Sequence, residues 1–440
     1  VGTLQNNGSE LVGDISSVVA GTGLSGGGTS GAVTLNSDLL AKQAGTNFTN
    51  SLLVGTSSTG TLNDANSNTG VGIGVFGALT TGDNNVAVGL NALDVNTTGC
   101  FNTALGASTL LVNQTGICNV AIGASALRCN TASNNIAVGV QPLYYNTSGT
   151  NNTAIGTKAL FCNTTADNNT ALGYNSLLNN TTGAANTALG IHAMEKNISG
   201  GINVATGAYS LACNTTGADN TANGGYAMKE NTTGTGNVGV GRSALRCNTT
   251  AASNTAVGCG ALCLNTTGAS NVAVGKQALD ANTTGGNNIA IGDNALTSNT
   301  TNTTNIAIGA SALYANNAAG DNLAIGQQAA AANLSGYHLT SIGHYSLLAN
   351  TSAQGNTAVG HSSLRTTTTG AANTAVGKQT LCKTTTGGNN VALGYAALCL
   401  NTTGADNVAL GYDALVSNTT GTSNVAIGAT ALDANTTASG

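Results

Sequence analysis

Residues 401–421 read NTTGADNVALGYDALVSNTTG, a stretch that closes on the same four residues with which it opens. Close variants of this phrase fill most of the 440-residue chain. A sequence that repeats at a short fixed interval builds one small structural unit many times and stacks the copies on one another. The interval and the chemistry of the repeat therefore decide the fold.

The last residue of the NVALG phrase marks the phase of the repeat, and we call it the marker glycine. It occurs 21 times between Gly89 and Gly428, and 19 of the 20 intervals are 17 residues long. The exception is a step of 16 residues from Gly123 to Gly139, and an irregular copy precedes the series at residues 68–84. A helical hairpin repeat needs about 30 residues or more, whereas 17 residues suffice for one coil of a β-solenoid.

Each position of the repeat has its own chemistry. Asn stands four residues before the marker in 20 of 21 copies, followed by a β-branched residue, Ala and another aliphatic residue. This alternation predicts a strand. A small residue and Leu follow at three and four after the marker, and they predict a second short extended segment. Asn at seven after, in 19 copies, begins an NTTG-like turn, since Asn and Gly tolerate positive φ.

Stacked coils of this kind make an all-β parallel β-solenoid. We expect about 22 coils over residues 67–440, preceded by a linker or adaptor segment at residues 1–66. With ~4.8 Å per coil the solenoid would be a rod of roughly 100 Å, and each column of the repeat would form a ladder of like side chains. Coils that lose an apolar group, near Thr206, Asn223 and Ala330, should be the least stable.

The strand has two apolar faces, although a thin coil has only one inside. Alternate residues of NVALG point to opposite faces, so the β-branched residues take one face and Ala the other. Packing of the second face against another chain resolves the conflict and predicts a homo-oligomer. The alternative is a single solenoid in which Ala is simply exposed.

Composition excludes several classes of function. Only 6% of residues are charged, the net charge is −5 and no basic cluster occurs, so we expect no nucleic-acid partner. No apolar run has the length of a membrane span, so we expect no membrane insertion. No Ser/His/Asp or Cys/His grouping and no calcium-binding nonapeptide recurs, which predicts a non-catalytic chain without cofactor or metal. The chain starts at Val1 without a visible signal peptide, as a processed product or a piece of a longer protein would.

Two local patterns have a weak functional interpretation. Residues 72–77 match G-x-G-x-x-G, but they lead into another repeat turn instead of the long helix that a dinucleotide loop requires. His344 and His361 share a column in adjacent coils and should lie ~5 Å apart. A metal site needs further ligands, for which His338 is the only nearby candidate, so two surface imidazoles are favoured.

Cysteines and tyrosines also fall into columns. Cys382 and Cys399 share a column in adjacent coils, which makes them candidates for a disulfide. Six tyrosines follow a marker glycine by one or two residues, where they can stack on sugar rings or cover a chain interface. They are Tyr174, Tyr209, Tyr226, Tyr345, Tyr395 and Tyr412.

The turn asparagine begins an N-x-[ST] sequon in 17 copies. This pattern is good turn chemistry without any sugar, but on exposed turns it would also place a line of glycans along the solenoid. The candidate glycosylation sites are Asn96, Asn113, Asn146, Asn163, Asn180, Asn197, Asn214, Asn231, Asn248, Asn265, Asn282, Asn299, Asn333, Asn350, Asn401, Asn418 and Asn435.

The phrase N-[TV]-A-[VIL]-G-x-x-A-L followed by NTTG resembles the head repeats of trimeric adhesins of the YadA type and the repeat regions of tail-fibre-like proteins. Residues 68–440 carry the resemblance, and residues 20–39 (AGTGLSGGGTSGAVTLNSDL) look like a linker of tail-fibre proteins. The resemblance implies a left-handed parallel β-roll that trimerises side by side. The adhesin heads usually have coils shorter than the present 17 residues.

These patterns together predict an extracellular structural fibre or stalk with an adhesive or display role, on a cell surface or a virion. Its partners would be other copies of itself, as a homotrimer or a head-to-tail polymer, and covalent or bound glycans. The alternative is a subunit of a polymeric extracellular filament, because stacking end to end would cover unpaired strand edges. A solenoid enzyme of the lyase type would need acids or bases clustered on one face, and the sequence has no such cluster.

Overall fold

The computed structural model describes residues 47–55 and 59–440, together with the backbone of three short strands before them. It is an all-β parallel β-solenoid of about 22 turns, and the described residues contain no helix. The chain divides into two compact units, residues 1–165 and residues 166–440. The predicted fold class is confirmed.

The first unit begins with antiparallel pairs and continues as a parallel ladder. β1 pairs with β2 and β3 with β4, both antiparallel, and within β4 to β10 successive strands pair in parallel. The strands are β1 Leu24–Ser25, β2 Asn36–Ser37, β3 Lys42–Gly45, β4 Phe48–Val54, β5 Thr69–Val71, β6 Val86–Val88, β7 Thr103–Leu105, β8 Val120–Ile122, β9 Ile136–Val138 and β10 Thr153–Ile155.

The second unit consists of sixteen strands, each paired in parallel with the next. They are β11 Thr170–Leu172, β12 Thr187–Leu189, β13 Val204–Thr206, β14 Thr221–Asn223, β15 Val238–Val240, β16 Thr255–Val257, β17 Val272–Val274, β18 Ile289–Ile291, β19 Ile306–Ile308, β20 Leu323–Ile325, β21 Thr340–Ile342, β22 Thr357–Val359, β23 Thr374–Val376, β24 Val391–Leu393, β25 Val408–Leu410 and β26 Val425–Ile427.

The register joins equivalent positions of successive coils, as the repeat predicts. Ala256 of β16 pairs with Ala273 of β17, one period later. The parallel pairing includes β4, where Leu52 pairs with Thr69. Apart from the backbone of β1 and β2, the linker-like residues 20–39 lie outside the described residues.

From β5 onward the strands are three residues long and bury only their central residue. In β16, Ala256 is fully buried, whereas Thr255 is half-buried and Val257 is 36% exposed. The coil is so thin that the inner face of the strand has room for a methyl group and little more. The inside of the solenoid is therefore the Ala face, and the β-branched residues point outward.

The marker glycine is required for two independent reasons. Its φ lies between 116° and 142° in all 21 coils, in a region that L side chains rarely adopt. In addition, a Cβ on Gly275 would stand 2.4 Å from the carbonyl oxygen of Gly292 in the next coil. Any side chain at this position would therefore force neighbouring coils apart.

The prediction of a second extended segment is wrong, because the residues after the marker glycine form a turn. The core Leu at four after the marker has φ between 46° and 55°, a left-handed conformation that costs about 1–2 kcal/mol for an L residue. Backbone bonds still join the coils here, as from Leu262 N to Ala278 O at 2.9 Å. Full burial of the Leu side chain, worth about 1.5–3 kcal/mol, offsets the strain.

Two buried asparagines hold each coil closed around one carbonyl group. The oxygen of Gly268 accepts hydrogen bonds from Nδ2 of Asn254 and from Nδ2 of Asn265, both at 2.9 Å. Asn265 comes from the turn and Asn254 from the start of the strand, so the two amides tie opposite sides of the coil together. We call this arrangement the asparagine clamp.

The same amides also link successive coils. Asn265 Nδ2 donates to Asn248 Oδ1 at 2.9 Å, and the backbone N–H of Asn254 donates to Asn237 Oδ1 at 3.0 Å. Each clamp is thus one rung of two ladders, as predicted for the asparagine column, which are interrupted where Leu339, Thr367 and Thr384 replace asparagine. Thr266 adds a third ladder, since its hydroxyl donates to Thr283 O at 3.0 Å.

The expected weak coils need a partial correction. Thr206 and Asn223 occupy the outward position before the marker, half-buried and exposed respectively, so they remove nothing from the core. The premise that these two coils lose a core group is wrong, because the β-branched column faces outward. Ala330 does occupy the buried Leu column, and the shorter side chain leaves less apolar volume there.

A matched pair of substitutions tests which face is inside. Leu279→Ala should lower the local free energy of opening by about 2–4 kcal/mol, because Leu279 is fully buried. Val274→Ala in the same coil removes no group from the core of the chain, so in a single chain that no other copy covers it should cost less than about 1 kcal/mol. Native-state hydrogen exchange of the surrounding amides measures both, and equal costs would contradict the assignment of the faces.

The coil that contains Thr384 lacks one of the two asparagines of the clamp and therefore offers a test of it. Thr384 replaces the turn asparagine and is fully buried, and its hydroxyl has no hydrogen-bond partner. The carbonyl oxygen of Gly387 therefore accepts a side-chain hydrogen bond only from the Asn373 amide. Thr384→Asn should stabilise the coil by about 1 kcal/mol by restoring the second donor. Thr386→Asn, on the exposed side of the same turn, should change nothing in the same exchange measurement. Unchanged protection in both variants would contradict the clamp.

Candidate functional site

The outward side chains of the strands form an uncharged surface of mostly aliphatic residues with some threonines, which we call the strand face. It comprises the residues three and one before each marker glycine, and in every coil these positions are free of Lys, Arg, Asp and Glu. Ile291 is 37% exposed and Leu393 is 50% exposed. Sixteen successive strands of the second unit present this face. An apolar surface of this extent is typical of an interface.

The turn after the marker glycine carries a different chemistry. We call residues one to six after each marker the turn edge. Ten of the eleven lysines and arginines of the chain lie there: Arg128, Lys158, Lys196, Lys229, Arg242, Arg246, Lys276, Arg365, Lys378 and Lys383. The turn edge is therefore the one part of the repeat in which positive charge is concentrated.

Four aromatic side chains of consecutive coils stack on the turn edge of the second unit. His192 lies parallel to Tyr209, with ring centroids 5.0 Å apart, and Tyr209 lies parallel to Tyr226 at 5.5 Å. Tyr174 meets His192 edge to face at 5.4 Å. These four residues are the aromatic ladder. It confirms that the tyrosine column stacks, as the period of the repeat predicts.

The aromatic ladder ends in a cavity. The position that follows Tyr226 in the column is Ser243, whose side chain is too small to continue the stack. Tyr226, Arg242, Ser243 and Arg246 line a cavity of about 300 Å³, which we call the slot. Sequence reasoning missed the slot, although the change from Tyr226 to Ser243 in one column, with Arg242 before the serine and Arg246 after it, indicates it.

The two arginines of the slot are available for a ligand. Both are exposed, and neither guanidinium forms an ion pair with any acid in the part of the chain that the structure describes. Lys229, the equivalent of Arg246 one coil earlier, is instead paired with Glu230 at 3.1 Å. The slot therefore combines an open tyrosine face with two unpaired positive charges.

Aromatic rings and cations meet elsewhere on the turn edge. Lys378 Nζ lies 5.9 Å from the centroid of Tyr395, which is stacked on Tyr412 at 5.4 Å. Arg365 lies 5.6 Å from the centroid of Tyr345. Cations on exposed rings of this kind contribute about 0.5–1 kcal/mol each.

The histidine pair is placed as predicted. The rings of His344 and His361 are 5.5 Å apart, and Tyr345 stacks on His344 at 3.8 Å. His338 packs on Tyr337 instead. Nowhere in residues 47–55 and 59–440 do three or more His, Cys, Asp or Glu side chains come together in the manner of a metal site.

The cysteine pair lies together on the turn edge as two free thiols. The Cys399 thiol donates a hydrogen bond to the Cys382 sulfur, which lowers the pKa of Cys382 to about 6, and the charges of Lys383 and Arg365 act in the same direction against the effect of burial. The same hydrogen bond raises the pKa of Cys399. Oxidation of the pair to a disulfide stays a prediction.

The thiol pair has a measurable signature. The ultraviolet absorbance of thiolate should show one step near pH 6, from Cys382, well below the ordinary cysteine range. Cys399→Ala should move this step to higher pH, because the thiolate loses its donor. Cys263→Ala should leave it in place, since burial raises the pKa of the Cys263 thiol. Absence of any thiolate step near pH 6 would contradict the hydrogen bond.

The sequon asparagines are not on exposed turns, and that premise of the glycosylation prediction is wrong. Nδ2, the atom that a glycan would modify, is a donor of the asparagine clamp in the interior of the coil. An attached sugar would have to replace these bonds and fill a space that does not exist. Asn435 is half-buried. The fully buried ones are Asn96, Asn113, Asn146, Asn163, Asn180, Asn197, Asn214, Asn231, Asn248, Asn265, Asn282, Asn299, Asn333, Asn350, Asn401 and Asn418.

The glycine-rich segment at residues 72–77 belongs to the solenoid. Gly72 has φ 136°, like the marker glycines, and Phe76 is fully buried in the column that Leu occupies elsewhere. A strand precedes it and a turn follows it, without the helix that a dinucleotide loop needs.

Comparison with known proteins gives no assignment. No protein-family model matches the chain, and no curated protein matches it. The described part of the chain contains no helix with the length and hydropathy of a membrane span.

Proposed function

We propose that the protein is an extracellular structural fibre or stalk with an adhesive or display role, assembled from side-by-side copies as a homotrimer and without catalytic activity. The strand face is the observation that supports this proposal most strongly. Its side chains point outward because the inner position of the strand holds only Ala, Gly or Ser, and in most coils at least one of them is aliphatic. A second and third copy would cover this face.

The hydrogen bonds between successive coils also support a mechanical role. Each coil is joined to the next by backbone bonds, two asparagine ladders and a threonine ladder, and the same pattern recurs through both units. A chain of this kind resists bending and presents identical surfaces at regular intervals, which suits multivalent display. The resemblance to YadA-type head repeats and tail-fibre-like repeats points to the same class and to a cell surface or virion.

A head-to-tail extracellular filament is the second candidate. A parallel ladder offers unpaired backbone groups at its terminal strands, and another copy can pair with them. Electron microscopy separates the two candidates, because discrete particles support the fibre, whereas threads of indefinite length support the filament.

The assembly is tested by changing the strand face alone. Val257→Lys, Val274→Lys and Ile291→Lys combined should reduce the mass in solution from three chains to one chain of 42.7 kDa, since each lysine would have to be buried in the interface. Light scattering on a sizing column gives the mass.

The matched control places three lysines in the same three coils on the opposite side. Thr267→Lys, Thr284→Lys and Thr301→Lys lie on exposed turn positions and should leave the mass at three chains. A wild-type mass of one chain, or equal effects of the two triple variants, would contradict assembly through the strand face.

A further inference from the structure

We propose that the slot binds a carboxylated sugar ring of an acidic polysaccharide. The inference rests on the adhesive role proposed above and gives it a ligand class. Its starting point is the interrupted column of the aromatic ladder, in which His192, Tyr209 and Tyr226 stack face to face.

The interruption leaves one aromatic face free. Tyr209 is covered on both faces by His192 and Tyr226, whereas the outer face of Tyr226 borders the slot above Ser243. Tyr226 is 40% exposed. The cavity of about 300 Å³ lies at the lower end of the sizes typical of small-molecule sites. It can therefore accept one further ring at the stacking distance of the ladder.

The two arginines of the slot determine which kind of ligand ring it can bind. Arg242 and Arg246 line the same cavity as the free face of Tyr226, and no acid of the described residues pairs with them. An arginine binds a carboxylate through two parallel hydrogen bonds. A ligand that has an apolar ring face and a carboxylate at its edge satisfies both features, and a uronic acid is such a ring.

The open position of the slot on the turn edge favours a polymer over a single small molecule. One ring on an exposed tyrosine face and two solvent-exposed cations give weak affinity by themselves. A polysaccharide repeats the ring, so several slots of side-by-side copies engage one ligand chain and the affinities multiply. Lys378 beside Tyr395 and Arg365 beside Tyr345 offer further ring-and-cation contacts.

The decisive variant fills the slot without removing its charges. Ser243→Tyr continues the ladder by one ring, and the backbone accepts it because Ser243 has φ 59°, like Tyr226 with φ 61° in the same column. Calorimetric titration of the full chain with a short oligogalacturonate should show binding to the wild type and a loss of about tenfold or more in Ser243→Tyr. Ser311→Tyr, in the same column away from the aromatic ladder, should bind like the wild type.

A second pair of variants tests the charge. Arg242→Ala should weaken binding about fivefold, whereas Lys276→Ala removes a positive charge from the same column outside the slot and should have no effect. The methyl-esterified oligogalacturonate, which keeps the ring and lacks the charge, should bind more weakly than the acid. Dextran sulfate serves as a polyanion without carboxylated rings.

These experiments distinguish a failure of the slot proposal from a failure of the proposed trimer. Binding that survives in the monomeric strand-face variant supports the slot even if the trimer proposal fails. Wild-type affinity of oligogalacturonate in Ser243→Tyr would overturn the slot, and so would binding of dextran sulfate to the wild type as tight as that of oligogalacturonate. Failure of the wild type to bind oligogalacturonate, with its mass at three chains, would overturn the slot and leave the fibre proposal standing.

Discussion

The width of one coil is the constraint on which the rest of the structure depends. A 17-residue coil encloses so little volume that its strand places only Ala, Gly or Ser inside, and in most coils the remaining interior is filled by a second small residue, one Leu and two Asn side chains. A buried carbonyl group must be hydrogen-bonded, and the turn directs one carbonyl group into this interior. The asparagine clamp satisfies it from two sides. The columns of Ala, Leu and Asn in the sequence are the consequence.

The small size of the interior determines which side chains lie on the surface. The larger aliphatic residues of the strand face outward because the inner position is too small for them, so the same coil geometry that builds the core also produces an apolar outer face. The asparagines of the sequons lie inside the coil instead, because their side-chain amides donate hydrogen bonds to the carbonyl group of the turn. The exposed positions of the turn edge are free of both demands, and they carry most of the positive charges and aromatic rings.

The repeat predicts the fold class, the coil length and the vertical neighbours. These follow from periodicity, because residues one period apart must lie one coil apart, and the stacking of Tyr209 on Tyr226 and the contact of His344 with His361 follow in the same way. Alternation along the strand does not say which face is inside, so Thr206 and Asn223 are misjudged as core positions. The left-handed Leu in the turn is equally unpredictable, since its strain is accepted only because burial of that side chain offsets it. The slot depends on a missing side chain, which a search for recurring residues does not detect.

Exchange of the asparagine side-chain amide protons tests the central claim most directly. In protein labelled selectively at asparagine, NMR would follow the Nδ2 protons of the two buried columns and of exposed asparagines such as Asn151 under identical conditions. If the clamp holds each coil closed, the protons of Asn254 and Asn265 exchange only when coils open, orders of magnitude more slowly than those of Asn151. Exchange of both groups at the same rate would show that the asparagines are not the interior of the coil and would contradict the account.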